Sequence, residues 1–224
     1  MSETQVPERP KPTSGTISRL QLQKKNKERV NLFLNDEYAF SLALSLAMGL
    51  KKGQVLTPAE VTALQADDEI KRAYAAALNL LGYRARSTTE VEQRLRQRDF
   101  SERSIAQTIE RLLREGYLND TDFGHAWIES RLRASPRSTR ALRYELRRKG
   151  VDTEVIEEVL EQVEIDEEGA AWRAIESKLD RWRDLEQFPF RQKVSSFLAR
   201  RGFGHDVVRP VVERAWQELH AEDE

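Results

Sequence analysis

Apolar residues alternate with polar ones early in this chain and recur every three or four positions in the rest of it. Ile17, Leu20 and Leu22, then Val30, Leu32 and Leu34, flank the polar stretch Lys24-Lys25-Asn26-Lys27. Period two on both sides of a turn predicts a β-hairpin. Tyr38-Ala39-Phe40-Ser41, across an Asp36-Glu37 turn, adds a candidate third strand. So small a sheet needs a helical neighbour to be stable. Thr57-Pro58-Ala59-Glu60 supplies one, with a hydroxyl cap, proline at the first helical position and glutamate three residues after the cap. Helical spacing then continues in three groups. The first runs through Tyr74, Ala77, Leu78 and Leu81, then Val91 and Leu95, then Ile105, Ile109 and Leu112. The second runs through Trp127, Ile128 and Leu132, then Leu142 and Leu146, then Val155, Ile156, Val159 and Val163. The third runs through Trp172, Ile175, Leu179 and Trp182, then Val194, Phe197 and Leu198, then Val208, Val211, Val212 and Trp216. Nine helices in three groups are expected.

The groups share one phrase. LRQRDFSERSI from Leu95, LRRKGVDTEVI from Leu146 and LARRGFGHDVV from Leu198 begin 51 and 52 residues apart. A period of this size marks a tandem array in which each supersecondary unit stacks on its neighbours. Leu95, Leu146 and Leu198 close the second helix on its buried face, and Phe100, Val151 and Phe203 fill the corner. Gly150 and Gly202 suit a left-handed C-terminal residue that Asp99 must supply in the first repeat. Ser101, Asp152 and His205 or Asp206 stand where an N-cap oxygen serves the third helix. The predicted fold is mainly α: tandem three-helix repeats in an elongated, curved body, preceded by a small N-terminal β-hairpin or three-stranded sheet. The expected divisions are a disordered tail over 1–15, the hairpin extension over 16–56, repeat one with a leading helix over 57–119, repeat two over 120–165 and repeat three over 166–224.

Composition narrows the function. The 224 residues contain no cysteine, which excludes disulfide and thiolate chemistry and fits a reducing compartment. No run of 18 apolar residues and no signal-peptide core is present, so a cytoplasmic protein without a membrane span is expected. Mean hydropathy is −0.68, which suits a high-surface repeat protein. A net charge of −1 conceals strong polarity: residues 84–150 carry 16 basic and 10 acidic side chains, and residues 151–180 carry 2 and 11. Between Arg131 and Lys149 stand eight basic residues and one acid, Glu145. Such a run concentrates positive potential.

No catalytic constellation emerges, so an enzyme is not expected, nor a cofactor or a metal site. His125, His205 and His220 fall in different repeats without metal-ligand spacing. Asp120 and Asp122 have the look of a nuclease carboxylate pair, but a helix cap at the start of repeat two explains them as well. Gly49-Leu50-Lys51-Lys52-Gly53 lacks the spacing of a phosphate-wrapping loop and reads as a turn after the sheet. On a helix over 138–149, Arg140, Arg143, Tyr144, Arg147 and Arg148 share one arc opposite Leu142 and Leu146. Guanidinium forks match phosphate oxygens, and a phenol among them can stack on an unpaired base. Arg131, Arg133, Arg137 and Lys149 extend this candidate nucleic-acid face, and Arg94, Arg98 and Arg103 continue it in repeat one. Glu154, Glu157, Glu158 and Glu161 form an acidic face on the following helix, either solvated or turned to a basic protein partner.

Arg86-Ser87 with Val91 and Leu95, RLLREGYLND over Arg111–Asp120, Phe123, and ELRRKGV over Glu145–Val151 together resemble the RecX family, bacterial regulators of the RecA recombinase. The resemblance covers most of residues 16–216, and the stretch QLQKKNKERVNLFLNDEYAFSL is similar to the N-terminal extension of some members. Phe188-Pro189-Phe190 and Gly202-Phe203-Gly204 depart from the pattern in repeat three. The resemblance implies a non-enzymatic monomer that lodges on the RecA filament on single-stranded DNA, suppresses ATP hydrolysis and strand exchange, and binds DNA itself, with double-stranded DNA a second candidate. Residues around Tyr117, Asp120, Phe123 and Trp127 would fix the packing between repeats. A free-standing helical transcription regulator is the alternative. Base readout favours Asn or Gln beside Arg, and the 140–149 face has neither.

Overall fold

The computed structural model describes residues 11–221, so most of the tail expected over 1–15 lies outside the described residues. Among those described, the chain forms a four-stranded antiparallel sheet followed almost entirely by helices. It divides into two compact units, residues 11–83 with 92–115, and residues 84–91 with 116–221.

In the first unit, β1 (Gly15–Leu22), β2 (Arg29–Leu34) and β3 (Glu37–Ala43) form the predicted meander. Ile17 pairs with Leu34, Leu20 with Leu32, and Val30 with Leu42, so the alternating apolar set falls on one face. The turn from β2 to β3 is centred on Asn35 and Asp36, one residue earlier than expected. Both have positive φ, 48° and 67°, the backbone that a two-residue hairpin turn requires. A fourth strand, β4 (Val55–Leu56), pairs with Gly15 and Thr16 at the sheet edge; two residues are too few to show a period. The short helix α1 (Leu44–Ala47) and the expected turn separate it from β3.

The sheet core is Ile17, Val30, Leu32, Leu34, Ala39, Phe40 and Leu42, closed by Val61 of α2 (Pro58–Tyr83). The reciprocal cap at the start of α2 forms as read: Thr57 N and Oγ1 donate to Glu60 Oε2 at 2.7 and 2.8 Å. The leading helix and the first helix of repeat one are one continuous α2. Its buried Asp68 ties helix to sheet. Arg29 donates to both carboxylate oxygens at 3.2 and 3.0 Å, Arg72 Nε donates at 3.0 Å, and the Ala43 amide donates at 2.8 Å. Farther along, α2 packs on α4 (Glu102–Arg114), whose N-cap Ser101 is held by Glu69. The Ser101 and Ser104 hydroxyls keep the Glu69 carboxyl below its usual range. Between α2 and α4 comes α3 (Thr88–Arg96), whose first turn belongs to the second unit.

The second unit contains repeats two and three. Repeat two is α5 (Asp120–Ala134), α6 (Thr139–Arg148) and α7 (Thr153–Gln162) around Phe123, Ile128, Leu142, Leu146, Ile156 and Val159. Repeat three is α8 (Glu167–Ile175), a 3-10 helix over Glu176–Trp182, α9 (Gln187–Arg200) and α10 (His205–His220) around Ile175, Phe190, Val194, Leu198 and Val208. The first helix of that repeat is therefore not continuous through Trp182. Leu132 packs against both cores.

The three elbows have one backbone geometry. Phe100, Val151 and Phe203 amides donate to the carbonyls of Leu95, Leu146 and Leu198, and Asp99, Gly150 and Gly202 have φ of 59°, 76° and 93°. Ser101 and Asp152 cap the helices that follow. In repeat three the cap is Gly204, not His205 or Asp206, and no side chain bonds there.

The elbows of repeats two and three also make the joint to the repeat before. Ser87 Oγ donates to the Lys149 carbonyl and Thr89 Oγ1 to the Gly150 carbonyl at 2.8 Å, while the Thr88 amide donates to Asp120 Oδ1 at 2.8 Å. One repeat later, the Ser138 amide donates to the Arg201 carbonyl at 3.3 Å and the Thr139 amide to Glu167 Oε1 at 2.8 Å. In each case an elbow carbonyl and the acidic residue that opens the first helix of the next repeat cover a helix start. Asp120 thus caps α3, and Asn119 caps its own helix by accepting from the Thr121 and Asp122 amides.

Candidate nucleic-acid interface

Leu142 and Leu146 are fully buried, and four of the other residues of α6 are arginines. The arginines on it divide into two sets. Arg143 is drawn inward, gripping Glu157 of α7 with Nε and Nη2 at 2.7 and 2.8 Å. Its hydrogen bonds raise the Arg143 pKa and lower that of Glu157, to which the nearby charge of Arg147 adds. Arg140, Arg147 and Arg148 are exposed and form no ion pair among the described residues. Tyr144, 60% exposed, lies in the same stripe, with the Arg148 guanidinium 5.9 Å from its ring centroid. Positions 140, 144, 147 and 148 repeat every three or four residues, so this is one helix face.

The flanking basic residues are mostly engaged. Glu145 accepts from Arg131 Nε at 2.7 Å and from the Trp127 indole at 3.0 Å, and Arg137 approaches it at 3.4 Å. Arg131 and Lys149 lie 4.4 and 4.8 Å from the Trp127 ring centroid, a cation–π cluster that holds α5 against α6. Arg133 pairs with Glu129 within α5. Sequence counting could not show this, since one acid among eight bases serves three partners. Arg94, Arg98 and Arg103 are exposed in the first unit, where Arg94 bonds Gln97 and Arg98 lines a groove with Lys71 and Arg72. Reading the sequence missed Arg201. It occupies the elbow place of Lys149 and lies beside Arg137, and the repeat register was the signal that could have found it.

Lys149 also reaches back to Glu90 at 2.7 Å, and Arg84 holds the same carboxylate at 3.1 Å. Burial raises the Glu90 pKa, but the hydrogen bonds and charges of Arg84 and Lys149 outweigh it and set the carboxyl at about 2, from an ordinary 4.5. A depressed folded pKa contributes stability that is present above the unfolded value and lost as pH falls through the folded one. In denaturant titrations, the advantage of wild type over Glu90→Gln should therefore be constant above about pH 5 and shrink toward pH 2. An advantage that does not vary with pH would remove the ion pair from the joint's energetics.

Two of the three histidines have local partners. His125 bonds Gln162 at 2.9 Å, and His220 stacks on Trp216 with centroids 3.9 Å apart. Among the described residues no group of three or more His, Cys, Asp or Glu could hold a metal ion, and no helix is long and apolar enough to cross a membrane.

Four family models match this chain: the N-terminal domain of regulatory protein RecX over residues 15–57, and the first, second and third RecX three-helix domains over 73–112, 119–160 and 166–212. Regulatory protein RecX of Bacillus subtilis (strain 168) is 35% identical over 201 residues, covering 88% of this chain and 76% of that protein. The RecX protein of Clostridium botulinum (strain Eklund 17B / Type B) is 30% identical over 204 residues, covering 89% of this chain and 95% of its own. A crystal structure of regulatory protein RecX superposes with a TM-score of 0.69 at 24% identity, over 88% of this chain and 98% of that one, and so shares the fold. The crystal structure of RecX from Lactobacillus salivarius gives 0.58 at 24% identity, over 66% and 97%.

Proposed function

Because this chain belongs to the RecX family of regulatory proteins, we propose that it is a negative modulator of the RecA recombinase, acting in the cytoplasm as a monomer and without catalysis. It binds the RecA filament formed on single-stranded DNA, contacts the DNA through the outer face of α6, and suppresses ATP hydrolysis and strand exchange. The observation that carries this reading is the stripe Arg140, Tyr144, Arg147 and Arg148: exposed, its arginines in no direct ion pair among the described residues, and set in a modular array. Arginines read backbone phosphate, a tyrosine accepts a stacked base, and neither requires a particular sequence. Repeated units touching successive protomers of one fibre add weak contacts as avidity. Holding neighbouring protomers in one relation opposes the rearrangements that hydrolysis drives.

The test is a titration of RecA ATPase on single-stranded DNA. Substoichiometric protein should lower the rate, and no effect at saturation would overturn the proposal. Changing Arg140, Arg147 and Arg148 together to Ala should weaken single-stranded DNA binding to all sequences alike and reduce the salt slope by about 2, at about 0.7 for each phosphate no longer neutralised. Arg143→Ala should instead act on stability, because its guanidinium is spent on Glu157. Equal DNA losses in Arg143→Ala and the triple variant would contradict the division of α6 into two faces.

A further inference from the structure

Where repeat three meets repeat two, two guanidinium groups lie together with too little negative charge between them. Among the described residues, the groups that fix Arg201 are all neutral. Its Nη1 donates to Ser135 Oγ at 3.1 Å and to the Pro136 carbonyl at 3.0 Å, and its guanidinium lies 4.7 Å from the Phe197 ring centroid. Burial, and then the charge of Arg137, push its pKa below the usual arginine value; no carboxylate offsets them. Arg137 has one carboxylate in reach. Its Nε is buried without a hydrogen bond and faces Glu145 Oε1 at 3.4 Å, while the other oxygen of that carboxylate accepts from Arg131 and Trp127.

A guanidinium held in place by neutral contacts has lost its rotamer freedom in advance and keeps its charge unspent. Arg201 is such a group, seated on the Pro136 carbonyl next to Arg137, and Arg137 shares its one carboxylate with Arg131. The two side by side make a site for an oxyanion, since the planar fork matches phosphate oxygens and the anion relieves the like-charge repulsion. Arg137 immediately precedes Ser138, the N-cap of α6, so the pair continues the exposed stripe toward repeat three. We propose that Arg137 and Arg201 form a phosphate-binding pair at the joint between repeats two and three, and that its ligand is a phosphodiester of the bound nucleic-acid strand. The assignment of the ligand rests on the nucleic-acid reading of α6; the pair itself does not.

The same pair couples binding to dynamics. Arg137 belongs to the loop before α6 and Arg201 to the elbow whose carbonyl accepts the Ser138 amide at 3.3 Å. One phosphate held by both locks the two repeats, so strand binding stiffens the joint that the elbow makes.

Two assays decide it. In the first, thermal unfolding is followed in inorganic phosphate against chloride at equal ionic strength and pH. Wild type should gain about 2–4 °C in phosphate, and Arg201→Gln and Arg137→Gln should lose that gain. In the second, single-stranded oligonucleotide affinity is measured against salt. Each single variant should bind about fivefold more weakly, with the slope reduced by about 0.7. Arg137→Gln leaves the Ser135 and Pro136 bonds of Arg201 intact, and serves if Arg201→Gln lowers the melting temperature in chloride. No phosphate effect in wild type, or one that survives in the variants, overturns the pair. Loss of the phosphate effect with unchanged DNA affinity overturns the strand as its ligand in favour of free phosphate. If wild type binds no single-stranded DNA, the α6 reading fails and the phosphate assay alone judges the pair.

Discussion

Asp68→Ala is expected to cost the first unit about 3–5 kcal/mol, the range for removing one member of a buried ion pair. Asp68 is 3% exposed and accepts four hydrogen bonds, from Arg29 twice, Arg72 and the Ala43 amide. Without it, Arg29 keeps its charge with a side chain only 22% exposed, and the Ala43 amide at the end of β3 loses its partner. Arg72, half exposed, can turn to water and contributes less. Asp68→Asn, which keeps an acceptor but not the charge, should cost roughly half as much. Since a whole domain is stable by about 5–15 kcal/mol, urea unfolding should show the sheet releasing from α2 early, with new protease cleavage around β3. A loss under about 1 kcal/mol would mean that apolar packing alone holds the sheet, and that the buried carboxylate is incidental.

Gly150→Ala is expected to cost about 3 kcal/mol from two sources: left-handed backbone for a residue with Cβ, about 1–2, and overpacking, about 1–3. At φ 76° the new Cβ would fall within the Thr89 side chain. Gly202→Ala meets the same fate: at φ 93°, its Cβ would lie 2.5 Å from Ser138 Oγ and 2.7 Å from the Ala141 Cβ. Asp99→Gly is the internal control. Asp99 has the same elbow backbone at φ 59° but is exposed, so that change should stay within about 1 kcal/mol. If all three elbow substitutions proved equally mild, the joint would not depend on close backbone approach.

Much of this was legible from spacing. The capping box at Thr57, the two meander hairpins and the buried leucines of each elbow are local patterns, and local patterns set local structure. What escaped depends on partners distant in sequence. No period marks the fourth strand, because Val55 and Leu56 pair with residues some forty positions back. Asp120 read as a cap for its own helix, yet it caps a helix start 32 positions earlier. The basic run read as one surface, whereas tertiary contacts consume Arg131, Arg143 and Lys149 and leave Arg140, Arg147 and Arg148 outward. Charge counting weighs every guanidinium alike; only the positions of Glu145, Glu157 and Glu90 separate structural cations from free ones.

The joint has a polarity that bears on how such an array is lengthened. Each junction pairs a glycine elbow on the later repeat with a Ser-Thr helix start on the earlier one. Repeat two has both halves, Gly150 behind it and Ser138-Thr139 ahead. Repeat one bears Asp99 in place of the glycine, and repeat three opens its second helix with Glu186 and a 77% exposed Phe188 where the others have Ser87 and Ser138. Only the middle module can be copied in tandem and seat against itself. A copy of either outer module would lack one half of that joint.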